Sequence, residues 1–118
     1  MTPIEMRDGL AQALERGAEG YTLHDLESAL ANGSAMLWAG PNSAIVTTIL
    51  DGPEGRFLHA WLSCGSLAEI LSLEPGISAF ARARGCRFAT LGGRRGWARA
   101  FRSHGFVPDG DELRKSYG

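Results

Sequence analysis

The stretch from Arg56 to Leu91 places the tightest limit on the fold. Arg56 to Cys64 alternates, with Phe57, His59, Trp61 and Ser63 opposite Leu58, Ala60 and Leu62, and so reads as a strand. Ser66 is an N-cap residue ahead of Leu67 to Arg84, where Ile70, Leu71, Leu73, Ile77, Phe80 and Ala81 form one helical stripe, and Gly85 ends the helix. Pro75-Gly76 inside that run predicts a kink or a split into two pieces. Cys86 to Leu91 is then a short strand. Two strands joined by a helical crossover of this length lie side by side and parallel.

The flanks add elements of other kinds. Residues 3 to 17 open with Pro3 at a first-turn position, bring Ile4, Leu10, Ala11 and Leu14 together at helical spacing, and stop at Gly17. Thr22 with Asp25 three residues on is a capping box for a second helix carrying Leu23, Leu26, Ala29 and Leu30, which Asn32-Gly33 terminates. From Ala35 the period changes. Ala35 to Ala39 and the β-branched run Ala44 to Leu50 are separated by Gly40-Pro41-Asn42, and Asp51 to Gly55 is a second turn before Arg56, so three antiparallel strands form a meander. After Gly92-Gly93 comes a last helix near Trp97 to His104, stopped by Gly105, and then room for one short strand at Leu113 to Tyr117. The fold class is α/β in the broad sense (α+β): helix, helix, three antiparallel strands, helix, strand, helix, short strand on one mixed sheet.

A chain of 118 residues with 44% hydrophobic and 21% charged residues matches one domain, residues 1–118, with one core. Cys64 and Cys86 end apolar runs with no further thiols or histidines at zinc spacing, which predicts two buried free thiols and no metal site. The first residues have neither a basic nor an apolar signal region, and no apolar run approaches membrane-span length, so a cytoplasmic protein with no membrane association is expected. Net charge is −1, but residues 1 to 54 carry eight acids against Arg7 and Arg16, whereas residues 55 to 108 carry eight arginines against Glu69 and Glu74.

The element order, together with Trp97-Ala98-Arg99-Ala100-Phe101-Arg102-Ser103-His104-Gly105-Phe106, resembles the GNAT family of acetyl-CoA-dependent N-acetyltransferases over essentially the whole chain. The segment Gly93 to Phe106 is more specifically similar to small GNAT-like proteins encoded by bacteriophages and prophages. The resemblance implies that the strands before and after the long helix splay apart to make a cleft for the pantetheine arm of acetyl-CoA.

Acetyl transfer in that family needs backbone N–H groups at a helix N-terminus for the pyrophosphate, in a loop written Gln or Arg, two residues, Gly, one residue, Gly or Ala. Leu62 to Glu69 offers one glycine and no basic residue there, leaving Gly65 and Ser66 as the candidate cofactor-binding residues, while Glu69 in the first turn repels a phosphate. The family's proton-donating Tyr, four residues before the Gly of the Gly-Phe ending, corresponds to Phe101, and an Asn seven residues earlier corresponds to Arg94. No catalytic residue is assigned. No cofactor is expected, and acetyl-CoA enters only with the enzyme alternative.

Among the other polar residues, His59 stands in the third strand, where the resemblance implies a base for the amine, and a hydrogen-bonded structural histidine is the competing reading. His24 and His104 lie near helix ends. Arg82, Arg84, Arg87, Arg94, Arg95, Arg99 and Arg102 cluster within 21 residues; either they form a solvated face or they track an anionic partner. Arg94, Arg95, Arg99 and Arg102 are the interaction candidates, with a protein partner or a second copy expected and nucleic acid not. Three functions follow: a non-catalytic GNAT-fold protein of phage type acting through contacts in a virion, in assembly or on a host factor; an acetyl-CoA-dependent N-acyltransferase; and a small nucleic-acid-binding domain.

Overall fold

The computed structural model describes residues 3–17, 21–92 and 96–118. Helices α1 (Pro3–Gly17) and α2 (Leu23–Asn32) come first. The Thr22 hydroxyl accepts the Asp25 N–H at 3.2 Å, the Asp25 carboxylate accepts the Thr22 N–H at 2.8 Å, and Gly33 closes α2 at a φ of 82°. Strands β1 (Met36–Gly40), β2 (Ser43–Gly52) and β3 (Gly55–Gly65) form the antiparallel meander. Helix α3 (Leu67–Ala83) crosses over to β4 (Phe88–Gly92), which pairs parallel to β3 with Phe57 opposite Phe88 and Ala60 opposite Leu91.

The chain ends with α4 (Trp97–Phe101), a 3₁₀ turn at Arg102–His104, β5 (Val107–Asp109) and β6 (Glu112–Ser116). The sheet has six strands in the order β1-β2-β3-β4-β6-β5.

Two expectations about the elements need correction. Helix α3 is not split into two pieces but runs unbroken through Pro75. The proline forfeits a single bond to the turn before it, and Ile70, Ile77 and Ala81, buried on both sides of that point, keep the helix on the sheet. The tail holds two strands rather than one, because Asp109 and Glu112 face each other across Gly110-Asp111 and fold β5 back on β6.

The sheet carries a core on each face, two where the chain length led to the expectation of one. Ile45, Leu58, Ile70, Ile77, Ala81, Phe101 and Leu113 belong to the core under α3 and α4, and Leu10, Ala13, Leu14, Leu26, Val46 and Leu62 to the core under α1 and α2. Consecutive residues Ile45 and Val46 fall into different cores, as the two-residue period of a strand buried on both faces requires. Cys64 and Cys86 are both buried free thiols. Among the described residues no helix is long and apolar enough to cross a membrane.

Two glycines give a test with opposite signs. Gly65 sits at a φ of 94° and a Cβ there would run into the Asn42 carbonyl, whereas Gly76, inside α3, has open space around it. We expect Gly65→Ala to destabilise the protein by about 2–3 kcal/mol and Gly76→Ala to stabilise it by about 0.4–1 kcal/mol, measured by urea unfolding. Equal changes at the two positions would contradict the backbone geometry at Gly65.

Candidate functional site

The site begins with a fault in strand pairing. Val46 lies opposite Leu62 but Thr47 lies opposite Ala60, so Trp61 is an extra residue in β3, a β-bulge. Before it, Leu58 and Ala60 point at α3; after it, Leu62 and Cys64 point at α1 and α2. The regular alternation expected along this strand therefore breaks at Trp61, whose ring stays on the α1 side, edge-on to Tyr21 at 5.2 Å between centroids.

Strand β4 bonds to β3 only over Phe57–Ala60, while β3 continues to Gly65. Where the two strands part, a cavity of about 530 Å³ opens. It is walled by residues from both faces of the sheet, Ile45, Leu58, Ile70 and Ile77 from one and Ala13, His59 and Trp61 from the other, and Trp97, Phe101 and Phe106 close one side.

Glu74, Ser78 and Tyr117 line this cavity from the α3 side, as do the hydroxyl residues Thr47 and Ser63. Glu74, only 6% exposed, is the centre of a network. Its carboxylate accepts from Ser78 Oγ, from Lys115 Nζ at 2.9 and 3.0 Å, and from His104 Nδ1 at 3.0 Å, and Ser78 Oγ lies 2.8 Å from the Tyr117 hydroxyl. Burial pushes the Glu74 carboxyl up, but the bonds from Ser78, Lys115 and His104 outweigh it and hold the group below the usual carboxylate range. Burial raises the Tyr117 phenol, so it stays protonated at neutral pH.

Toward the opposite face, His59 Nδ1 lies 2.8 Å from Thr90 Oγ1 and 3.8 Å from Glu112 Oε2. Burial lowers the His59 pKa, partly opposed by Glu112, and leaves the ring neutral at neutral pH. The histidine is thus hydrogen-bonded and also faces the cavity.

The N-terminus of α3 is filled from within. Ser66 caps the helix through its hydroxyl, 3.4 Å from the Glu69 N–H, and its own N–H donates to the Asn42 carbonyl at 2.9 Å. The Glu69 carboxylate turns to the β1–β2 turn and accepts the Asn42 N–H at 2.8 Å and the Ser43 hydroxyl at 3.0 Å. The Asn42 backbone bond is the main reason its carboxyl is held below the ordinary range. An anionic side chain therefore stands beside Gly65 and Ser66, the residues proposed for cofactor phosphate, and no Lys or Arg side chain bonds there among the described residues. This donor set does not fit a pyrophosphate.

Phe101 is 3% exposed and packs against Trp97 and Phe106 at 5.4 Å, so the position of the family's tyrosine is a core position here. Arg99 and Arg102 are exposed on α4 and the turn after it, and Arg94 and Arg95 lie outside the described residues. His24 is exposed, and no metal-binding cluster exists among the described residues. Sequence reasoning missed Glu74, Ser78 and Tyr117. The available signal was an acid at position 74, four residues from both Ile70 and Ser78, in the buried stripe of α3 rather than on its solvated face.

No protein-family model matches the sequence, and no curated protein does either. A crystal structure of a GNAT family acetyltransferase from Brucella melitensis in complex with acetyl-CoA superposes with a TM-score of 0.60 at 16% identity, covering 100% of this chain and 85% of that one. The fold is therefore GNAT-like, as the element order predicts.

The Glu74 network yields two expectations. Glu74→Gln leaves Lys115 and His104 without their anion and should cost about 3 kcal/mol in urea unfolding. The Glu74 carboxyl is lowered in the folded protein, so its contribution is complete above the ordinary carboxylate pKa and is lost as pH falls through the folded value. The variant should accordingly lose stability less steeply than the native chain on acidification; parallel curves would remove Glu74 from that role.

Proposed function

We propose that this chain is a non-catalytic GNAT-fold protein that works through protein contacts, as a phage- or prophage-type component of a virion, of assembly or of host-factor binding. The observation that carries the reading is the Glu69 carboxylate at the α3 N-terminus, which bonds to Asn42 and Ser43 and sets a negative charge where a pyrophosphate would need N–H donors. Phe101 in the core adds to it, since that position has no proton to give. Isothermal titration with acetyl-CoA and with CoA tests the reading. We expect a Kd no tighter than about millimolar; a micromolar Kd, or acetylation of an amine well above background, would overturn it.

One observation favours the second reading, an acetyl-CoA-dependent acyltransferase. The cavity lies where β3 and β4 part, the place the family uses for pantetheine, and the Brucella melitensis protein was crystallised with acetyl-CoA. The same titration separates the two.

For the contact surface we propose the arginines Arg94, Arg95, Arg99 and Arg102, facing an acidic protein or a second copy. Arg99 and Arg102 are exposed, and among the described residues no ion pair holds either of them. Replacing Arg95, Arg99 and Arg102 with Ser should change stability by only a few tenths of a kcal/mol each and weaken association, with added salt doing the same to the native chain. Unchanged sedimentation and unchanged partner capture after the triple substitution would refute this surface.

A further inference from the structure

The cavity between β3 and β4 has a polar chain in its wall whose hydrogen positions can be deduced. Ser78 has one hydroxyl proton and gives it to the Glu74 carboxylate. Lys115 on both oxygens and His104 on one keep that carboxylate ionised, so it has no proton to return. The 2.8 Å contact between Ser78 Oγ and Tyr117 OH therefore has a single polarity: the phenol donates and Ser78 accepts. The proton of Tyr117 is thus committed to the protein, and its lone pairs remain for the cavity that Tyr117 lines. A chain of donors ending on a carboxylate also strengthens the acceptor at its far end.

The rest of the wall narrows the choice of ligand. Trp61, Trp97, Phe101 and Phe106 with Ile45, Leu58 and Ile77 make it mainly apolar, with hydroxyls of Thr47, Ser63 and Thr90 among them. Among the described residues, the only Asp, Glu, Lys or Arg side chains in the wall are Glu74 and Glu112. At the His59 end, Nδ1 is engaged with Thr90. The volume of about 530 Å³ is that of a small-molecule site.

We infer that Tyr117 presents a hydrogen-bond acceptor to this cavity, and that the cavity binds a compact apolar, preferably aromatic molecule bearing one N–H or O–H donor in preference to anions and to molecules that can only accept. The inference goes beyond the proposed function, because it holds whether or not the chain handles CoA. Tyr117 acts here as a specificity residue whose polarity is set by Ser78 and Glu74.

The test uses the full chain and three probes followed by NMR titration: indole, which carries an N–H donor; 1-methylindole, which lacks it; and acetophenone, which only accepts. The native chain should bind indole about tenfold more tightly than either of the others, the factor expected of one well-placed hydrogen bond. Tyr117→Phe should bring indole down to the level of 1-methylindole. Ser78→Ala removes the group that takes the phenol proton, leaves Glu74 with Lys115 and His104, and should let acetophenone gain about fivefold or more while the preference for indole shrinks. Equal binding of indole and 1-methylindole by the native chain would overturn the inference. So would a preference for indole that survives Tyr117→Phe, acetophenone binding unmoved by Ser78→Ala, or no binding of any probe at millimolar concentration.

Discussion

The short pairing of β3 with β4 sets the rest of the architecture. Four residues of β3, Phe57–Ala60, hold β4 in parallel register, and the bulge at Trp61 then turns the strand so that β4 cannot follow. Two consequences come from this one inserted residue. Leu62 and Cys64 are delivered to the core under α1 and α2 instead of the core under α3, which anchors the N-terminal helices to the strand. The strands also part, and the gap becomes a cavity reached by side chains of both faces. A strand with unbroken alternation would send Leu58, Ala60, Leu62 and Cys64 to one core and leave α1 with little to pack against.

The gap is kept in shape by a buried charge. Taking the Glu74 carboxylate out of water is costly, and the cost is offset only because Ser78, Lys115 and His104 all donate to it. Those donors come from three different places: Ser78 from α3 itself, His104 from the 3₁₀ turn after α4, and Lys115 from β6. One carboxylate therefore ties the crossover helix to the two C-terminal elements. Tyr117 joins through Ser78, and Arg82 of α3 sits over its ring at 5.0 Å. Replacing the network with apolar residues would remove the polar wall that Glu74, Ser78 and Tyr117 give the cavity.

The order and type of the elements were legible because each carries a local signal. The Thr22–Asp25 capping box, the turns at Gly40-Pro41-Asn42 and Asp51 to Gly55, and the Ser66 cap are all read from neighbours in sequence and all appear in the structure. The parallel strands followed from the length of the crossover. What was not legible depends on partners far apart in the chain. The bulge at Trp61 is visible only against β2, since nothing in Leu58 to Leu62 itself departs from alternation. The role of Glu74 depends on Lys115, 41 residues away, and on His104, 30 residues away. The continuity of α3 through Pro75 is settled by packing on the sheet, which outweighs a local signal. Gly65 and Ser66 were the candidate cofactor-binding residues of the sequence, and the bond from Asn42 to Glu69 beside them spans 27 residues and could not be foreseen.

We propose that this GNAT-like fold keeps the cleft between its parting strands while the Glu69 carboxylate closes the α3 N-terminus to phosphate. The most direct measurement compares acetyl-CoA with acetyl-pantetheine, which has the same arm without pyrophosphate or nucleotide, by NMR titration of the native chain. Acetyl-CoA is expected to bind no more tightly than acetyl-pantetheine. A gain of about tenfold or more for acetyl-CoA would mean that the α3 N-terminus does hold phosphate, and would contradict it.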